Sequence, residues 1–234
     1  MRSDRIMQSK IYRLFDYVLR LVLLNVLIVV PSFSLFIIYS AINKSGNNHL
    51  TFLLLIPMLL WLFPSIVATT DVIRQYENKE TNTIFKDFFK SIKKLYLKSF
   101  IISIFVYLGI GLFWNSLSFF LNNATKGSLY IICFIITTSF AMAFVIVLSQ
   151  IPLVICYFKK MGILQILKLS FIFAFKNIGI NLIIAFCILG FGFIDAITTY
   201  AMALGGFSLP IYIMVKLSFK QYIRIYRKVE ENEN

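Results

Sequence analysis

Asn25, Thr70, Asp71, Gln150 and Asp195 stand inside stretches of sequence that are otherwise apolar. A polar group surrounded by hydrocarbon is expensive without a partner, so each of them needs an account. Two kinds of chemistry fit the first four. As the lining of a cavity open to the cytoplasm, the amides, hydroxyl and carboxylate would meet a polar solute. As ties between helices, the same groups would hydrogen-bond to one another or to freed backbone, which Asn, Gln and Thr do routinely inside membrane bundles. Arg74 follows Asp71 by three residues, the spacing of a helical ion pair. Asp195 lies toward the opposite face, where it reads either as an ionisable contact or as a carboxylate solvated at the interface.

Other chemistries lack parts. There is one histidine, His49, and the three cysteines, Cys133, Cys156 and Cys187, each sit alone in an apolar run. These residues assemble no zinc set, no nucleophile–base pair and no glycine-rich phosphate loop. The expectation is a non-catalytic protein with no metal and no cofactor.

The elements that carry these residues are set by composition. Of 234 residues, 59% are hydrophobic and 14% charged, and the mean hydropathy is +0.84. A soluble domain carries about a quarter charged residues, so this chain belongs in a bilayer. The expected fold is all-α, a polytopic membrane bundle in one domain. About six spans fall at 21–41, 50–73, 99–121, 129–157, 178–200 and 207–226. The first, preceded by a basic N-terminus, reads as an uncleaved signal anchor. Asn25 then lies about 7.5 Å beyond Arg20, and Gln150 about 13.5 Å from Lys159.

The net charge of +13 asks for a location rather than for nucleic acid. Lys and Arg fill the N-terminus, connections two–three and four–five, and the C-terminal stretch; the alternate connections hold only Lys44 and Lys126. Six spans with both termini in the cytoplasm produce that alternation in a multi-pass protein of the cell membrane.

Two connecting segments are amphipathic. Residues 84–98 set Phe85, Phe88, Phe89, Ile92, Leu95 and Tyr96 against Lys86, Lys90, Lys93, Lys94 and Lys98. This reads as an interfacial helix on the cytoplasmic side, its lysines on anionic headgroups, with Lys98 at the bend into the third span. A cytoplasmic partner on the same face is the alternative. Residues 162–176 occupy the equivalent place, and an offset of 78 pairs Lys90 with Lys168 and Lys98 with Lys176. Spans two–three and four–five therefore read as copies of one span–surface helix–span unit, parallel to each other.

Three stretches, "RLVLLNVLIVV" (20–30), "FPSIVATTDVIRQYENKETNTIFKDFFKSIKKLYLKS" (63–99) and "GFSLPIYI" (206–213), together resemble the YesL-like family of small bacterial membrane proteins, a domain of unknown function. The resemblance implies an accessory role beside carbohydrate uptake, with membrane transport proteins as partners, and carries no site residues with it. A small permease and a membrane-surface scaffold are the other readings.

Overall fold

In a computed structural model, residues 10–43, 48–78, 83–176, 178–197 and 206–233 are described. They form α1 (Lys10–Asn43), α2 (Asn48–Glu77), α3 (Ile84–Asn122), α4 (Ser128–Tyr157), α5 (Ile163–Lys176), α6 (Ile178–Ile197) and α7 (Ser208–Glu233), with a 3-10 turn at Ala124–Lys126. The described residues contain no strand. This is the all-helical membrane bundle expected from the apolar runs. Among the described residues, three helices, α1, α3 and α4, contain stretches long and apolar enough to cross a membrane; α5 and α6 supply a fourth if the bent pair counts as one span. The protein is a multi-pass membrane protein.

The span pattern departs from the expected one in two places. The expected break at Lys98 is absent: α3 runs from Ile84 to Asn122. At 39 residues it is about 58 Å long, nearly twice the hydrocarbon thickness. The lysine-rich segment and the third span are one helix because a single stripe continues through both. Phe88, Ser91, Leu95, Ser99, Ile102 and Val106 are buried at steps of three and four. The equivalent junction in the second half does break, and α5 meets α6 at 102°. Finally, the expected crossing at 207–226 falls on α7, whose apolar part is only Ser208–Phe219. Twelve residues rise about 18 Å, short of a hydrocarbon core.

The core gathers at one end of the bundle, the end that carries the α2–α3 and α4–α5 connections and hence most of the described lysines. There α4 is buried on every side from Ser149 to Tyr157, whereas Leu129, Ile132, Ile136 and Phe140 in its first half are exposed. Small residues let α2 and α3 approach closely: Ser65, Ala68, Thr69, Ser91, Ser99 and Ser103 are all buried. Gly109 does the same for α3 and α4; a Cβ there would run into the Phe144 ring.

Candidate functional site

Asp71 is the centre of the lysine-rich end. It is 1% exposed, close to the end of α2. Its carboxylate accepts from Arg74 Nη2 at 3.0 Å, from Gln75 Nε2 at 2.8 Å and from the Ser91 hydroxyl of α3 at 2.9 Å. Lys159, in the turn between α4 and α5, reaches Oδ1 at 2.9 Å. One carboxylate thus joins α2, α3 and the α4–α5 turn, with two cations and two further donors to offset its desolvation. The Arg74 spacing was visible in the sequence; Ser91 and Lys159, 20 and 88 residues away, were not. Thr70 turns back on its own helix, donating to the Ile66 carbonyl at 2.8 Å.

Gln150 sits at a second junction. Its amide donates to Asn181 Oδ1 of α6 at 3.1 Å and accepts from the Tyr222 hydroxyl of α7 at 3.0 Å. Asn181 then donates to the carbonyls of Phe173 and Ala174, each at 2.8 Å. Those are carbonyls of the last turn of α5, left over by the helix where it stops, so this amide pair holds the 102° break. Asn181 was the missed member; an amide three residues into an apolar helix was the signal for it.

These two junctions connect. The Arg74 guanidinium lies 5.4 Å from the centre of the Tyr157 ring, Tyr157 stacks on Tyr222 at 5.0 Å, and Tyr222 meets Phe173 at 4.6 Å. Asp71 and Gln150, the expected neighbours, are therefore linked through a buried aromatic pair.

Asn25 belongs to a different contact. Its Oδ1 accepts the backbone N–H groups of Phe207 at 3.1 Å and Ser208 at 3.3 Å. An amide on α1 so caps the first turn of α7, 182 residues along the chain. Farther along α7, Lys216 pairs with Glu77 at 2.8 Å, and Glu77 also accepts from Tyr17 of α1 at 2.7 Å. The neighbours of α7 change along its length, from α1 at Ser208 to α2 at Lys216 to α4 at Tyr222. Beside these ties, a cleft between α1 and α2 at Leu24 and Ile73 has a volume of about 20 Å³, room for roughly one water.

The lysines of the α3 segment divide. Lys86, Lys90, Lys93 and Lys94 are exposed, while Lys98 turns inward and donates to the carbonyls of Lys159 at 2.6 Å and Met161 at 2.8 Å. The apolar face divides too: Phe88 is 0% exposed and Phe89 53%. Asp195 falls on α6, with its side chain outside the described residues, as is Lys44.

A multi-pass helical bundle tied at one end by a buried carboxylate and an amide pair is the class of protein that emerges. Residues 21–117 match the family model described as a protein of unknown function, DUF624, the model of the YesL-like family. That stretch includes Asn25, Asp71 and Ser91 and stops short of Gln150. No curated protein and no solved structure matches the chain.

Proposed function

We propose that this protein is a non-catalytic membrane component that works by assembling with a membrane transport system. The observation that carries the reading is the use made of its interior polar groups. Asn25, Asp71, Gln150 and Asn181 are engaged with other helices of the same chain, as structural ties would be. The surfaces left for other molecules are the apolar outer halves of α3 and α4, at Leu108, Leu112, Leu129 and Ile132, and the exposed lysines of α3. Carbohydrate as the transported class rests on the family resemblance alone. The basic alternation of the sequence supports an even number of crossings, six by the sequence count, with both termini in the cytoplasm.

A permease is the second reading, and one observation favours it. The run Asp71–Arg74–Tyr157–Tyr222–Gln150–Asn181 leads from the lysine-rich end into the bundle without a gap. Crosslinking with mass spectrometry in the native membrane separates the two. Assembly gives reproducible crosslinks from Lys86, Lys90, Lys93 and Lys94 to a transport protein. A permease gives none, and the purified protein in liposomes then moves a solute by itself.

A further inference from the structure

We propose that the junction of α3 with the α4–α5 turn binds a phosphate group, presented by an anionic lipid headgroup or as free phosphate. The inference starts from Lys98, whose ammonium donates to the carbonyls of Lys159 and Met161. Those carbonyls satisfy its hydrogen bonds but do not neutralise its charge. They also flank Lys160, so the contact fixes the backbone of Lys160 against this part of α3. Lys94 lies one helical turn before Lys98 and therefore on the same face, about 6 Å along the axis. Three lysines thus share one junction by backbone position, with Lys94 and Lys160 exposed and Lys98 half-buried.

The neighbouring acids are committed elsewhere. Asp71 takes Arg74 and Lys159, and Asp87 accepts the Thr83 hydroxyl at 2.7 Å. Among the described residues no carboxylate pairs with Lys94, Lys98 or Lys160. Like charges carried at one junction repel, and an anion bound there relieves the repulsion. A phosphate has the required chemistry, with several oxygens to accept from separate ammonium donors.

Position favours a lipid source. The site opens beside α5, whose Leu164, Phe171, Ile172 and Phe175 are exposed around Lys168. That apolar strip would lie along acyl chains while Lys94 and Lys160 hold the headgroup. The lipid arm rests on the reading that the lysine-rich end lies at a membrane surface; the free-phosphate arm does not, so the two fail separately.

The test uses full-length protein in neutral detergent, titrated with short-chain phosphatidylglycerol, short-chain phosphatidylcholine or inorganic phosphate and followed by thermal unfolding and native mass spectrometry. A lipid site gives tighter binding of phosphatidylglycerol than of phosphatidylcholine. The doubly substituted K94Q/K160Q protein, changed only at exposed positions, should lose that preference by roughly thirtyfold, equivalent to about 2 kcal/mol. Lys126→Gln, on the 3-10 turn at the other end of α3, should keep it. Stabilisation by inorganic phosphate, lost in K94Q/K160Q and accompanied by no preference between the lipids, assigns the site to free phosphate. If neither phosphatidylglycerol nor phosphate distinguishes the unsubstituted protein from K94Q/K160Q, the site does not exist.

Discussion

Asn25 and Asp71 show how one side chain can organise several helices where water is scarce. Asn25→Ala removes the acceptor for two N–H groups at the start of α7, and in an apolar setting no solvent replaces it. The expected loss is about 1–2 kcal/mol of bundle stability, measured by unfolding in detergent. Function should fall only as far as protein level does; a loss of function with stability unchanged would make Asn25 a lining residue. Asp71 is a stronger case because charge is involved. Asp71→Ala leaves Arg74 and Lys159 without their carboxylate and should cost about 3 kcal/mol, the low end for a buried pair because both cations retain some exposure. Asp71→Asn keeps a side-chain acceptor for Ser91 and should cost less than Asp71→Ala. Equal unfolding of the two variants would mean that the shape and hydrogen bonding of the side chain contribute nothing beyond its charge.

At the scale of the helix, the two neighbours Phe88 and Phe89 have opposite fates. The sequence assigns both to one apolar face, but the stripe that packs continues through Ser91, Leu95 and Ser99 and takes only Phe88. Phe88→Ala should cost about 3–5 kcal/mol and Phe89→Ala under about 1 kcal/mol in the same unfolding assay. A second pair tests the α3–α4 seam. Gly111→Ala meets open space and should be neutral or stabilising by about 0.5–1 kcal/mol, since Ala is the better helix former. Gly109→Ala must displace the Phe144 ring and should cost about 1–3 kcal/mol. Comparable values for the two glycines would show that α3 and α4 do not pack closely at Gly109. Helix identity was legible in the apolar runs, and the Asp71–Arg74 pair in its spacing. The partners of Asn25 and Gln150 were not, because hydrogen bonds between distant helices leave no local periodicity. Nor was the difference between the two halves of the proposed repeat. At the offset of 78, Phe88 and Leu95 match Ile166 and Phe173, and all four are buried, yet α3 is continuous and α5–α6 is broken. What separates them is Asn181, whose amide satisfies carbonyls that a continuous helix would satisfy from within.

For the whole molecule, the sidedness of the bundle is the property on which every functional reading depends. The ion pair of Lys216 with Glu77 and the hydrogen bond of Tyr17 to Glu77 put the middle of α7, the end of α2 and the beginning of α1 on one side. Asp71 with Lys159 adds the α4–α5 turn to that side, and α3 carries Lys90 there with Ser91. Lys126 lies at the far end of α3, beyond a helix long enough to traverse the bilayer. Lysines and arginines remain preferentially in the cytoplasm, so the crowded end should be cytoplasmic and Lys126 external. Single cysteines at 90, 126, 160 and 216, in a background without Cys133, Cys156 and Cys187, give a direct reading with a membrane-impermeant thiol reagent. In intact cells only position 126 should label; in inside-out vesicles positions 90, 160 and 216 should label and 126 should not. Labelling of 216 together with 126 would separate α7 from α2 and contradict the Lys216–Glu77 pair. Labelling of 90 from outside would reverse the bundle and remove the cytoplasmic surface that the proposed assembly with a transport system requires.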